Sequence, residues 1–258
     1  MVRYACKIQY DGTGYVGYQI QPNGLSIQES IEKALGKMAK LPKGQVISIH
    51  ASGRTDSGVH ALGQVIHFDY PAKLLPKSML RAMNSILDPS IRVIDVAEVS
   101  SEFHSRYHAV AKEYIYRVSI ERFPDPFKRL YTLHHPYRCD IERMQTAIKS
   151  VIGTHDFTSF CSIHTEKENK VRTIYEADIR LDQKNKELIF RFYGNGFLYN
   201  MVRILVGTLL QIGDGLKETN ELQRLLEVKE RKQAGYTARP EGLYLNYVEY
   251  EINPFDND

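Results

Sequence analysis

The stretch Gly53-Arg54-Thr55-Asp56-Ser57-Gly58-Val59-His60 sets one carboxylate beside a guanidinium, between two glycines, with an imidazole close behind. A carboxylate so placed can serve as half of an acid pair or as a nucleophile. The acid-pair reading needs two carboxyls sharing one proton. No second Asp-Ser/Thr-Gly occurs, so acid proteolysis would require a homodimer to bring two Asp56 loops together. Metal chemistry finds little support. There are nine histidines, including the pair His134 and His135, but no HExxH and no tight carboxylate cluster. Cys6, Cys139 and Cys161 are odd in number and lack a CxxC pair, so they read as reduced thiols packed as small apolar residues. His60 reads first as a structural hydrogen-bonding residue. A second stretch, "GTGYVG" at 12–17, fits GxGxxG after a strand. That fingerprint needs a helix opening at the loop to hold a pyrophosphate. Pro22 and Gly24 leave no room for one, so these glycines are expected to shape a turn.

The elements that must position Asp56 follow from periodicity. Val2, Tyr4, Cys6, Ile8 and Tyr10 alternate as on a strand, and Ile27, Ile31, Ala34, Leu35 and Met38 recur at helical spacing. Ser26 and Glu29 stand in capping-box positions at that helix start. Residues 45–52 and 63–70 read as strands flanking the Asp56 loop, 77–87 as a helix and 91–99 as a strand. The order is β-α-β-β-α-β, the ferredoxin-like arrangement. The second half repeats it. Strands are expected over 112–120, 173–182, 186–194 and 243–252, with helices over 141–153, 198–213 and 220–228. The fold class is therefore α+β: two ferredoxin-like halves with mainly antiparallel sheets, 1–105 and 106–258, joined near residues 100–110. Residues 159–172 are polar and charged and read as a mobile surface loop.

Composition narrows the setting. A hydrophobic share of 43% with 25% charged residues is ordinary for a soluble globular chain. The net charge of +3 permits a phosphate-binding face without demanding one. No apolar run approaches membrane-spanning length, and the start lacks a signal-peptide core, so the expected location is cytoplasmic.

Several stretches, in matching order along nearly the whole chain, resemble the tRNA pseudouridine synthase A family. They are "YDGTGYVGYQIQPNGLSIQESIEKAL", "GRTDSGVHALGQVIHFD", "FHSRYHAVAKEYIYRV", "HDFTSF", "GNGFLYNMVRILVGTLLQIG" and "PEGLYLNYVEY". Two positions depart from the family pattern: Tyr18 stands where tryptophan is frequent, and Asn200 where histidine is frequent. The resemblance implies a pseudouridine-synthase-type fold with a central cleft. It also implies an enzyme that detaches uracil from ribose, turns it and rejoins it through carbon 5.

By the same resemblance Asp56 is the catalytic nucleophile, on the sugar or on the base. Arg54 fills the gap left by the extruded nucleotide, and a planar guanidinium suits that task. Tyr114 packs against the target base; Tyr116 shares its strand face, and only the motif selects Tyr114. Arg203, on an otherwise apolar helix, is expected to pair with Asp56, because an unpaired buried cation is costly. Leu243 matches an apolar residue against the uracil face. No cofactor and no metal is implied. The partners implied are tRNA, at positions 38, 39 and 40 of the anticodon stem-loop, and a second copy in a homodimer. Lys37, Lys40, Lys43, Lys77 and Arg81 are candidate phosphate contacts, although a solvated face explains them equally well. A tandem ferredoxin-like RNA-binding protein without chemistry is the alternative from another class; the aromatic signature of RNA-recognition motifs is missing.

Overall fold

A computed structural model describes residues 1–165 and 168–256. The chain divides into two compact units, residues 1–110 with 245–258, and residues 111–244.

The first unit starts with β1 (Val2–Tyr10), whose Tyr4, Cys6, Ile8 and Tyr10 are all buried, as the alternation requires. Helix α1 (Ile27–Met38) begins where Ser26 accepts the Glu29 N–H through its hydroxyl at 3.1 Å. The Glu29 carboxylate pairs with Lys33, so only half of the expected capping box forms. Next come β2 (His50–Ala51), β3 (His60–Tyr70), α2 (Pro76–Ile86) and β4 (Ile91–Val99). β1 lies antiparallel between β3 and β4, with Cys6 opposite Ile66 on one side and Val96 on the other. β2 pairs with β3. The strand order β4-β1-β3-β2 is the ferredoxin-like one.

The strand expected over 45–52 shrinks to two residues. Ile47 and Ile49 keep the alternation and are buried, but the Ile49 N–H donates to the Glu32 carboxylate of α1 at 3.1 Å. A backbone donor committed to a helix side chain does not join a ladder.

The second unit holds β5 (Ala109–Ser119), β6 (Leu133–His134), α3 (Ile141–Ile148), β7 (Gly153–Asp156), β8 (Val171–Asp182), β9 (Glu187–Gly194), α4 (Met201–Gly213) and α5 (Glu221–Val228). Its antiparallel order is β5-β9-β8-β7, with β6 parallel to β5. Asp140 caps α3 by accepting the Arg143 N–H, and the expected helix to 153 gives way to a single 3-10 turn over Lys149–Val151. Asp182 closes the β8–β9 hairpin by accepting from Asn185 N and Nδ2. α4 opens three residues later than its apolar run suggests, because Asn200 turns left-handed at φ 62°. β6 and β7 are too short to show a period. Of the expected loop over 159–172, Glu166 and Lys167 lie outside the described residues, while Phe160 and Cys161 are buried.

The last strand, β10 (Leu243–Tyr250), follows the second half in element order, yet from Leu245 onward it counts with the first unit, beside β3. A Cβ on Gly63 of β3 would stand 2.5 Å from the Asn246 carbonyl oxygen, and the Tyr250 hydroxyl donates to the Ser105 carbonyl at 2.6 Å. Glycine at 63 is what lets those backbones approach.

Candidate active site

The Asp56 loop joins β2 to β3, and its backbone is pinned at several points. Gln64 Nε2 donates to the Gly53 carbonyl at 2.7 Å, and Gln64 Oε1 accepts from the Ser52 hydroxyl at 2.6 Å. Thr55 is buried, with its hydroxyl 2.8 Å from that of Tyr10. Burial raises Tyr10 to about 12, against the lowering effect of its hydrogen bonds to Thr55 and Gln64, so it stays a neutral phenol at ordinary pH. Gly58 takes φ +76°, in the left-handed region that glycine enters without strain. The Val59 N–H donates to the Asp56 carbonyl at 3.1 Å. Asp56 is half-buried and Arg54 exposed; Arg54 pairs with no carboxylate among the described residues.

The "GTGYVG" stretch packs against this loop. A Cβ on Gly12 would lie 2.0 Å from the Val59 carbonyl oxygen. One on Gly17, at φ +119°, would lie 3.1 Å from Thr55 O and 3.2 Å from Ser57 N. The Tyr18 N–H donates to Thr55 O at 3.0 Å, and the Ser57 hydroxyl to Tyr15 O at 3.1 Å. These glycines permit close backbone approach rather than nucleotide binding. His60 is buried and its Nδ1 accepts the Gly12 N–H at 3.1 Å. The same Nδ1 lies 3.2 Å from Asp11 Oδ1, so the ring ties the Gly12 turn to β3, the structural role expected from sequence.

Tyr18 lies beneath the loop, 3% exposed, its ring centroid 6.5 Å from that of Tyr10. Its hydroxyl meets no hydrogen-bond partner among the described residues. Burial raises its pKa well above the usual phenol range. An unsatisfied buried hydroxyl costs about 1–3 kcal/mol. Tyr18→Phe is therefore expected to gain about 1 kcal/mol, raising the melting temperature by about 2–4 °C in a scanning calorimeter. A lower melting temperature would show that the hydroxyl is satisfied.

In the second unit, Tyr114 sits on β5 opposite Phe192, and its ring meets Phe197 edge-on at 5.0 Å. Tyr116 is fully buried, its hydroxyl donates to the Arg239 carbonyl, and the Gly242 backbone lies against its ring. Both rings are buried, Tyr116 completely and Tyr114 with 8% exposed. Arg203, on α4, donates from Nε to the Ala238 carbonyl at 2.7 Å and from Nη1 to Asn200 Oδ1 at 2.8 Å. Its own carbonyl accepts the Ala238 N–H at 3.1 Å. The strap 238–242 therefore connects Arg203 to Tyr116, and the buried Leu243 follows it. The segment leading into this strap approaches α4 closely at Gly207, where a Cβ would stand 2.0 Å from the Tyr236 carbonyl oxygen.

Sequence reasoning missed three parts of this arrangement: Phe197 beside Tyr114, Asn200 as a holder of Arg203, and the Ala238 carbonyl. Phe197 and Asn200 lie in the "GNGFLYN" stretch, so their sequence signal was its resemblance; Ala238 had none. Lys37, Lys40, Lys43, Lys77 and Arg81 are all exposed. Among the described residues, no group of three or more His, Cys, Asp or Glu is arranged to hold a metal ion.

Asp56 and Arg54 thus stand on a braced loop in one α+β unit; in the other, Arg203 is tied to the strap that leads into Leu243, and Tyr114 packs on Phe197. The chain belongs to the tRNA pseudouridine synthase family, whose profile matches residues 6–108 and 147–251. It is 51% identical over 249 residues to tRNA pseudouridine synthase A of Latilactobacillus sakei subsp. sakei (strain 23K), covering 96% of this chain and 99% of that one. It is also 51% identical over 250 residues to tRNA pseudouridine synthase A of Lacticaseibacillus casei (strain BL23), covering 97% and 100%. Among solved structures, a Cbf5-Nop10-Gar1 complex matches at a TM-score of 0.36 and 12% identity, over 80% of this chain and 45% of that chain, too distant a likeness to carry weight. The protein is an isomerase, which leaves neither the protease nor the non-catalytic binder standing.

Proposed function

We propose that the enzyme converts uridine to pseudouridine at positions 38, 39 and 40 of the tRNA anticodon stem-loop, with Asp56 as nucleophile. The observation that carries this reading is the half-buried carboxylate of Asp56 on a loop pinned by Gly12, Gly17 and Gln64, inside the matched span 6–108. Covalent capture by a carboxylate divides a difficult exchange into two easier steps. A bond from the Asp56 carboxylate to the substrate forms and is later broken again; between these events the bond from the sugar carbon to N1 breaks, the base turns, and a bond from that carbon to C5 forms. C5 then gives up its hydrogen as a proton while N1 gains one, so atoms and charge balance without any electron donor or acceptor.

Within this reading Arg203 is the cation that keeps Asp56 ionised and aimed, and Tyr114 and Leu243 hold the turned base. Arg54 replaces the extruded nucleotide in the stack, consistent with its exposure. Extrusion costs a few kcal/mol of stacking and pairing, which such a contact offsets in part. Two copies acting as a homodimer in the cytoplasm would pool the basic surface of a chain whose net charge is only +3.

The test uses tRNA transcripts carrying 5-tritiated uridine. The purified protein should release tritium, and mapping should place pseudouridine at 38, 39 and 40. Native mass spectrometry should record twice the chain mass. Modification confined to other positions would refute the assigned target.

A further inference from the structure

In the first unit, the turn 103–108 that follows β4 is braced far more firmly than its exposed side chains require. The buried Ser105 donates its N–H to His67 Nδ1 at 3.1 Å and its hydroxyl to the His50 carbonyl at 2.9 Å. His104 Nδ1 accepts the N–H groups of Arg106 at 3.1 Å and Tyr107 at 3.4 Å, so its ring proton lies on Nε2 as a free-standing donor type. Rings then pile outward from the strand. His50 stacks on His67 at 4.9 Å, His67 meets His104 at 4.6 Å, and His104 meets Tyr107 at 4.2 Å. At the outer end Tyr107 is 74% exposed, with the Arg106 guanidinium 5.8 Å from its ring centre.

The exposed cation at this outer end is Arg106, and the rings behind it are held toward their neutral forms. Burial, and then the neighbouring His104, His50 and Arg3, hold His67 down to about 3. Burial, followed by His50, Arg3, His108 and Arg106, holds His104 below the ordinary imidazole value. Asp69 opposes this, but Arg3 already grips it through two hydrogen bonds at 2.8 and 2.7 Å. An exposed aromatic face beside an exposed guanidinium complements a nucleotide: a base stacks on the ring and a phosphate meets the cation.

We propose that Arg106, Tyr107 and His104 form a platform for an unpaired nucleotide of the substrate tRNA other than the one that reacts. The proposal rests on the reading of tRNA as substrate. His67 lies seven residues along β3 from His60, next to the Asp56 loop, so the platform's base stands about 20 Å from that end of the strand. A separation of that size places the bound nucleotide several positions from the target uridine.

The experiment compares wild type, Tyr107→Ala, Tyr107→Phe and Arg106→Gln with an unmodified tRNA transcript, measuring Kd by anisotropy over a salt series and KM by tritium release. Tyr107→Ala should weaken Kd and raise KM about tenfold, and Tyr107→Phe should restore both. Arg106→Gln should lower the slope of log Kd against log salt by about one. Thermal melts of the variants should match wild type. Unchanged Kd in both Tyr107→Ala and Arg106→Gln, or a loss confined to kcat, overturns the platform while leaving the isomerase reading intact. A wild-type protein that neither binds nor turns over tRNA would overturn the substrate reading, and the platform with it.

Discussion

Asp56→Asn protein is expected to fold, to bind tRNA about as wild type does, and to lose tritium release by about a thousandfold or more. The carboxamide keeps the size and one acceptor oxygen of the carboxylate, so the loop's pinning by Gln64, Tyr10 and the Gly12–Val59 approach is undisturbed. What disappears is the negative charge, and with it the proposed nucleophile, which would also stabilise positive charge developing at the sugar carbon. Single-turnover tritium release with excess enzyme isolates the chemical step from binding. Turnover within tenfold of wild type would remove Asp56 from the mechanism and leave the assignment without its nucleophile.

Gly12→Ala is expected to be nearly as damaging, though residue 12 bears no chemistry. The added Cβ would have to share space with the Val59 carbonyl oxygen at 2.0 Å, and both sides of that contact are backbone, so neither can rotate away. Separating them strains the Gly12 N–H to His60 bond and displaces the end of the Asp56 loop. Overpacking of this kind costs about 1–3 kcal/mol. A shift of order 1 Å in a catalytic group costs about a hundredfold in rate. Gly14→Ala is the internal control, because nothing lies within 4 Å of a Cβ there. Its melting temperature and its kcat should both match wild type. Equal effects from the two substitutions, in calorimetry and in tritium release, would show that close approach at Gly12 does not hold the loop.

How much of this could be read beforehand varies residue by residue. Ser26 and Asp140 were legible as helix caps, because a cap bonds an N–H only three residues ahead. The position of the loop bearing Arg54 and Asp56 was legible between its flanking apolar runs, and the burial of β1 through its alternation. Tyr114 and Tyr116 looked alike, since both lie on one strand face. The structure adds that the Tyr116 hydroxyl donates to the Arg239 carbonyl, 123 positions away in sequence, a bond no strand pattern announces. Asn200 stood out only as a departure from the family pattern. Its structural use combines a left-handed φ of 62°, which asparagine tolerates, with an acceptor for Arg203.

The amino-acid sequence by itself determined the α+β class, the order of the longer helices and strands, and the position of the loop that carries Asp56. Those features depend on side-chain period and on bonds spanning a few residues, which a linear reading contains. Tertiary structure alone decided that the strand over 45–52 would shrink to His50–Ala51, because Glu32 of α1 claims the Ile49 N–H. It likewise decided that "GTGYVG" braces the Asp56 loop, that β10 from Leu245 onward packs with the first unit, and that the Ala238 carbonyl holds Arg203. Each of these turns on which distant backbone group reaches a donor, an acceptor or a gap where a Cβ is missing, and chain folding sets that choice rather than any local preference.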